Sequence, residues 1–92
     1  MSKYRKKPVV IEAVVASKLI TGFTSDWASL PPWAKEAYEN GTIVAIRHDG
    51  FTIKTLEGDH RAESSDMVIQ GIKGELCACK PDIFDATYEA VD

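Results

Sequence analysis

One pair of residues that could do acid–base chemistry is Glu57 and His60, with Asp59 and His48 nearby in the chain. A carboxylate beside an imidazole is the minimum requirement for general acid–base catalysis. A tight turn at Gly58-Asp59 would place Glu57 opposite His60 on neighbouring strands. No pattern around them predicts a desolvated pocket, and an exposed cross-strand pair contributes little energy. We therefore predict no catalytic residues and a protein that is not an enzyme.

The two cysteines, Cys77 and Cys79, lie two positions apart on a predicted strand, so both should point to one face. A disulfide between them would strain the backbone. A zinc site would need further ligands, and neither His48 nor His60 has the spacing of a zinc module. We predict two reduced thiols, no metal site and no cofactor.

The strongest charge pattern is a basic N-terminal arm, residues 1–7, that carries Lys3, Arg5, Lys6 and Lys7. The rest of the chain has seven basic and fourteen acidic side chains, which makes an acidic body. Such an arm can contact nucleic-acid phosphates, an anionic protein or a nucleotide. It can also serve only as a solubilising terminus that discourages strand-edge pairing. The sequence leaves these alternatives open.

A second set of candidate binding residues surrounds the last predicted hairpin: Asp66, Lys73, Glu75 and Lys80. Asp66 has a structural explanation, because an aspartate at a turn accepts hydrogen bonds from main-chain amides. Lys73 and Lys80 have no comparable local role. The two lysines are therefore the better candidates for contact with a partner.

The length and hydropathy of the chain predict one domain, residues 1–92, in the cytoplasm. The longest apolar run covers residues 8–15 and contains Glu12. It is far shorter than the roughly 20 residues that span a bilayer, and no cleavage site of a secretory signal follows it. We expect no membrane partner.

The first half of the chain predicts a strand over 9–15, a loop over 16–28 and a helix between Ser29, as its cap, and Asn40-Gly41. Asp49-Gly50 is the pair favoured in a two-residue hairpin turn. That turn predicts pairing of His48 with Phe51.

The second half predicts strands over 67–70 and 75–79, joined by a turn with two glycines. After Lys80-Pro81 we expect a short helical turn capped by Asp82, then an edge strand that pairs with the N-terminal strand. The fold class is therefore α+β, with a mostly antiparallel sheet of five or six short strands and one covering helix.

The chain begins with the run YRKKPVVIEA (4–13), and it ends with GIKGE (71–75) followed by CKPDIFDATYE (79–89). Both ends resemble those of a widespread group of short bacteriophage and prophage proteins. One departure is Ser64-Ser65, where the group tends to have Pro-Gly before the aspartate, here Asp66. The resemblance implies a phage accessory protein that acts in the bacterial host cytoplasm, and it brings no catalytic residues.

Three functions are compatible with these observations. The first is a small phage-encoded binding protein that blocks a host protein, such as a defence component, because an acidic body can occupy a basic groove. A variant of it sequesters a nucleotide signal between protomers of a homodimer or larger homo-oligomer. The alternative is a nucleic-acid-associated accessory factor that uses the basic arm.

Overall fold

The computed structural model describes residues 2–5 and 8–91; Met1, Lys6, Lys7 and Asp92 lie outside it. Six short antiparallel strands combine with helices, which confirms the predicted α+β class. The elements in chain order are β1 (Glu12–Val15), α1 (Ala16–Ser25), a 3₁₀ turn (Trp27–Ser29), α2 (Pro32–Glu39), β2 (Ile43–Arg47), β3 (Gly50–Thr55), β4 (Gly58–Glu63), β5 (Met67–Gln70), β6 (Leu76–Cys79) and α3 (Pro81–Thr87).

The strands form two three-stranded sheets instead of one continuous sheet. One sheet, which we call the terminal sheet, has the order β1-β5-β6, and the other, the meander sheet, has the order β2-β3-β4. In the terminal sheet Glu12 lies opposite Gln70, and Met67 lies opposite Cys79. The N-terminal strand therefore pairs with β5, and the predicted pairing with the C-terminal tail is wrong.

The hydrophobic core lies between the two sheets and the helices α1 and α2. Its largest fully buried side chains come from both sheets and from α1: Leu19, Ile43, Phe51, Ile53 and Val68. Burial of one such side chain contributes about 1.5–3 kcal/mol. The two sheets are thus joined through shared apolar packing.

Helix α1 occupies a segment for which we expected a loop, so that prediction is wrong over Ala16–Ser25. Thr and Gly residues lower the intrinsic helix propensity here. Burial stabilises the helix nevertheless, because Ala16, Leu19 and Ile20 share one apolar face. Its first amides are also satisfied, since those of Ala16 and Ser17 donate to main-chain carbonyls of the β4–β5 turn at 2.8 Å.

Helix α2 confirms the predicted helix, and it ends where expected. Asn40 is the C-terminal cap, and Gly41 follows with φ 82°, a value that suits glycine. Ser29 is not the N-terminal cap, because its hydroxyl donates instead to the Asp26 carbonyl at 2.8 Å. Pro31 occupies the cap position, and Pro32 starts the helix with its φ already fixed.

The β2–β3 hairpin exists, but its register differs from the prediction. Arg47 pairs with Gly50, so His48-Asp49 forms the turn. Ala45 has φ 53° within an irregularity between Val44 and Arg47. This β-bulge adds one residue to β2 and directs Ile43 into the core. The predicted pairing of His48 with Phe51 is therefore wrong.

The C-terminal hairpin of β5 and β6 matches the prediction closely. After it, α3 spans Pro81–Thr87 with Lys80 at the cap position and Asp82 in its first turn. Residues 88–91 form no strand, so the predicted edge strand is wrong. None of the helices among residues 2–5 and 8–91 is long and apolar enough to cross a membrane.

Candidate functional site

The predicted Glu57–His60 pair does not form across the strands. Thr55 pairs with Gly58, which makes Leu56-Glu57 the turn and places His60 opposite Ile53. Asp59 lies opposite Lys54, whose Nζ is 3.1 Å from its Oδ2. In this register Glu57 lies in the turn and does not pair with His60 across the strands.

Glu57 and His60 nevertheless line the same open groove, which has a volume of about 880 Å³. It lies between the β3–β4 turn and β6, and Glu75 and Cys77 line its other side. Partial burial raises the pKa of the Cys77 thiol, and the Cys79 and Glu75 charges raise it further. The groove therefore presents a thiol, an imidazole, two carboxylates and Lys54, whose ammonium is paired with Asp59.

No disulfide joins Cys77 and Cys79 within the described residues; Cys77 is exposed and Cys79 half-buried. Within the described part of the chain, no three His, Cys, Asp or Glu side chains meet in a group that could hold a metal ion.

Asp66 and Lys80 come together at the other end of the terminal sheet. Oδ2 of Asp66 accepts a hydrogen bond from the Glu63 amide at 2.9 Å, which is the structural turn role expected from the sequence. Lys80 Nζ lies 3.2 Å from Oδ1, yet this buried oxygen has no well-aligned hydrogen-bond partner among the described residues. Lys80 is thus anchored to the fold as well as exposed.

Lys73 and Glu75 lie in the loop at the opposite end of the β5–β6 hairpin. The Lys73 amide donates to Oε2 of Glu75 at 3.1 Å, and the Glu75 side chain packs closely against Gly71. Four residues of strand separate this loop from Asp66 and Lys80, which is roughly 13 Å at 3.3 Å per residue. The predicted cluster is therefore two separate pairs.

The basic arm is only partly described. Lys3 and Arg5 are exposed, whereas Lys6 and Lys7 fall outside the described residues.

An aromatic surface stands out that the sequence did not predict as a functional feature. Its members are Phe23, Trp27 and Tyr38, of which Trp27 is 39% and Tyr38 45% exposed. The Trp27 and Tyr38 rings pack edge to face at 5.3 Å, and Tyr38 stacks on Phe23 at 5.3 Å. Phe23 in turn packs edge to face against the buried Phe51 ring, with 6.2 Å between the ring centroids. The exposed rings are thus fixed to the core.

The sequence favours packing against the sheet for Trp27 and Tyr38, with an exposed Trp as a recognition anchor as the alternative, because Tyr38 falls on the apolar stripe of α2. Trp33, Ala34 and Ala37 of that stripe are buried, but Tyr38 ends it at the rim. The sequence did not predict helix α1, and it is this helix that brings Phe23 beside Tyr38. Asp26, next to Trp27 in the chain, and Glu39, next to Tyr38, are exposed, and Lys35 lies about one helical turn before Tyr38.

Comparisons with protein-family models, with curated proteins and with solved structures find no match to this chain. The resemblance of its two ends to short phage proteins therefore stays a prediction.

Proposed function

We propose that this chain is a phage-encoded, non-enzymatic binding protein that blocks a host protein by occupying its surface. The observation that carries the proposal is the pair Trp27–Tyr38, two large aromatic side chains that stay about 40% exposed while packed against each other. Trp and Tyr are the residues most enriched at the energetic centre of protein interfaces.

The packing of the aromatic surface against the core supports this role. Phe23 links Tyr38 to the buried Phe51, so the exposed rings have little rotational freedom to lose when a partner binds. A rigid aromatic anchor therefore offers a large contact area at a low entropic cost.

Charge indicates the kind of partner. Outside the basic arm the chain has fourteen acidic and seven basic side chains. An apolar surface on an acidic body complements a partner surface that has an apolar pocket and basic residues around it. Blocking of a basic, nucleic-acid-binding or nucleotide-binding surface of a host protein fits this chemistry.

The proposal is tested by affinity capture from host lysate with the immobilised full chain. We expect a host protein to be retained by the native chain and lost with Trp27→Ala or Tyr38→Ala. The matched control is Leu56→Ala, a fully exposed aliphatic residue on the β3–β4 turn, which should retain the same protein. Circular dichroism melting verifies that all three variants fold.

Two results would contradict the proposal. One is a host protein that is still retained when Trp27 or Tyr38 is replaced by alanine. The other is a captured protein whose retention depends on Lys3 and Arg5 and falls steeply with salt, because that behaviour belongs to nucleic-acid-like contact through the basic arm.

A further inference from the structure

Strand β4 forms a regular outer edge of the meander sheet. It pairs with β3 without interruption, from Gly58 opposite Thr55 to Glu63 opposite Gly50. The other edge strand of this sheet, β2, contains the bulge at Ala45, and bulges discourage pairing with a further strand. Among the described strands, β6 passes near β4 but forms no ladder with it, and every β4 residue except one is exposed. The outer edge of β4 can therefore accept another strand.

The free main-chain groups of this edge belong to Asp59 and Arg61. Glu63 shows which way they face, because its amide donates to Asp66 Oδ2 and its carbonyl accepts the Asp66 amide, both at 2.9 Å. The main-chain groups of Glu63 therefore point away from β3, and so do those of the residues two and four positions earlier. Within the described residues, no main-chain hydrogen bond outside the ladders involves Asp59 or Arg61. These two residues thus offer unpaired donors and acceptors to a neighbouring strand.

The same two residues carry opposite charges on the outer face of the sheet. Asp59 Oδ2 lies 3.1 Å from Lys54 Nζ, and an Arg61 guanidinium nitrogen lies 3.1 Å from Asp49 Oδ1. The side chains of Asp59 and Arg61 are still 54% and 41% exposed, so each keeps surface for a further contact. Charged side chains on an edge strand usually prevent pairing. Here the alternation of sign permits pairing in a suitable register.

One antiparallel register of β4 with its own copy joins the free main-chain groups and also pairs unlike charges. A twofold axis at His60 places Asp59 opposite Arg61 of the partner subunit, and Arg61 opposite the partner's Asp59. An axis at Asp59 or at Arg61 would set that residue against its own copy, with like charges opposite each other. An axis at Ala62 would use Glu63, whose main-chain groups are already hydrogen-bonded in the β4–β5 turn. An axis between two residues would set outward-facing residues opposite inward-facing ones.

We infer that β4 pairs antiparallel with β4 of a second copy of this chain, around a twofold axis at His60. The two meander sheets then form one continuous six-stranded sheet, with the order β2-β3-β4-β4-β3-β2. Each pair of Asp59 with the partner's Arg61 exchanges both of its main-chain hydrogen bonds and brings unlike charges together. The pairing uses a surface different from the aromatic surface, so it does not rest on the proposed function.

Charge-reversed chains test this inference by sedimentation equilibrium. The average mass of the native chain should rise from 10.1 kDa toward twice that value as concentration increases. Asp59→Arg places like charges at both pairs, and so does Arg61→Asp, so each variant alone should have a dissociation constant about tenfold higher or more. An equimolar mixture of the two variants should dimerise again, because position 59 of one chain then faces position 61 of the other with unlike charges. Lys73→Glu, a charge reversal in the exposed β5–β6 loop, is the control and should leave the dissociation constant unchanged.

A cysteine cross-link tests the register independently. In a chain that carries Cys77→Ser and Cys79→Ser, His60→Cys places two thiols directly opposite each other. The Cα atoms of such a non-hydrogen-bonded pair are about 4.5 Å apart, which is within the range that a disulfide spans. Glu63→Cys is the matched control, because its two copies would lie about six residues apart along the strands, roughly 20 Å. Under mild oxidation we expect a covalent dimer from the His60→Cys chain and none from the Glu63→Cys chain.

The outcomes that overturn the inference are distinct. Circular dichroism melting verifies that the substituted chains fold, and all the substituted β4 positions are exposed. A native chain that stays monomeric up to about 1 mM overturns the inference. So does a mixture of Asp59→Arg and Arg61→Asp chains that dimerises no more tightly than either chain alone. Equal cross-linking of the His60→Cys and Glu63→Cys chains overturns the register.

Discussion

Nζ of Lys80, at the cap position of α3, lies 3.2 Å from Oδ1 of Asp66, whose side chain is only 4% exposed. Asp66 also connects three segments through its other polar groups. Its Oδ2 accepts the Glu63 amide, and its carbonyl accepts the Ala16 amide that starts α1. This one residue therefore fixes the β4–β5 turn, the start of α1 and the start of α3 relative to one another.

Removal of either side of this ion pair should destabilise the fold. Asp66→Ala leaves the Glu63 amide unsatisfied, and Lys80→Ala leaves a buried carboxylate without its cation. We expect each to lower the free energy of unfolding by about 1–3 kcal/mol, measured by urea denaturation. The double variant should lose less than the sum of the single losses, because the residues are coupled. Lys73→Ala, at an exposed lysine, is the control and should stay within about 0.5 kcal/mol of the native chain.

The bulge at Ala45 predicts a substitution that stabilises the protein. Ala45 has φ 53°, a left-handed conformation that costs a residue with a Cβ about 1–2 kcal/mol relative to glycine. Glycine also loses more backbone entropy on folding, which offsets part of this gain. Ala45→Gly should therefore raise the free energy of unfolding by about 0.5–1 kcal/mol. Ala86→Gly, in helix α3, should lower it by a similar amount. If both substitutions lower the free energy of unfolding, the left-handed conformation of Ala45 is contradicted.

Asp49 should titrate at an unusually low pH. A hydrogen bond from Arg61, 3.1 Å away, lowers the pKa of the Asp49 carboxyl from its usual value of 3.8. Because the pKa is lower in the folded state, the pair stabilises the fold above pH 3.8, and this contribution disappears as pH falls through the folded pKa. Carbon-detected NMR titration of the native chain and of Arg61→Gln measures the difference. A carboxyl pKa unchanged by Arg61→Gln would refute the contact.

Cys77 should react slowly with alkylating reagents near neutral pH. Burial, followed by the Cys79 and Glu75 charges, raises the pKa of its thiol, and only the thiolate is nucleophilic. The rate of iodoacetamide labelling, followed by mass spectrometry, should reach its half-maximum at a higher pH in the folded chain than in urea. Glu75→Gln should move that pH part of the way back. Identical folded and urea-unfolded profiles would show that the strand environment has no effect on this thiol.

The elements predicted best were those in which local signals agreed. Helix α2 has proline at its start and Asn40-Gly41 at its end, and strands β5 and β6 alternate on either side of a glycine turn. In each case the caps, turn residues and apolar period indicate the same structure. The correct boundaries followed from short-range chemistry alone.

The elements predicted poorly depend on contacts between distant parts of the chain. Helix α1 has few strong helix formers, and its stability depends on core burial and on hydrogen bonds to the turn before Asp66. The hairpin register depends on Gly50, where a Cβ would lie 2.3 Å from the Ala62 carbonyl oxygen of β4. A third strand therefore decides where the turn lies, which a two-strand pattern cannot reveal.

Errors in the candidate site follow from the same cause. The shift of the second turn to Leu56-Glu57 separates Glu57 from its predicted partner His60. The missing α1 hid the contact between Phe23 and Tyr38, and with it the aromatic surface. Only the structural role of Asp66 was predicted correctly from local sequence, because an aspartate in a turn acts on neighbouring amides.

The central claim is that the protein acts by occupancy, through the surface of Trp27 and Tyr38. Titration of the purified chain into the captured host protein, with the activity of that host protein as the readout, tests the claim most directly. The activity of the host protein should fall in proportion to the amount of chain added, and it should reach its minimum at one chain per host protein. The Trp27→Ala chain should not lower this activity. Inactivation of many host molecules by each copy of the chain would contradict the claim, because it would require turnover.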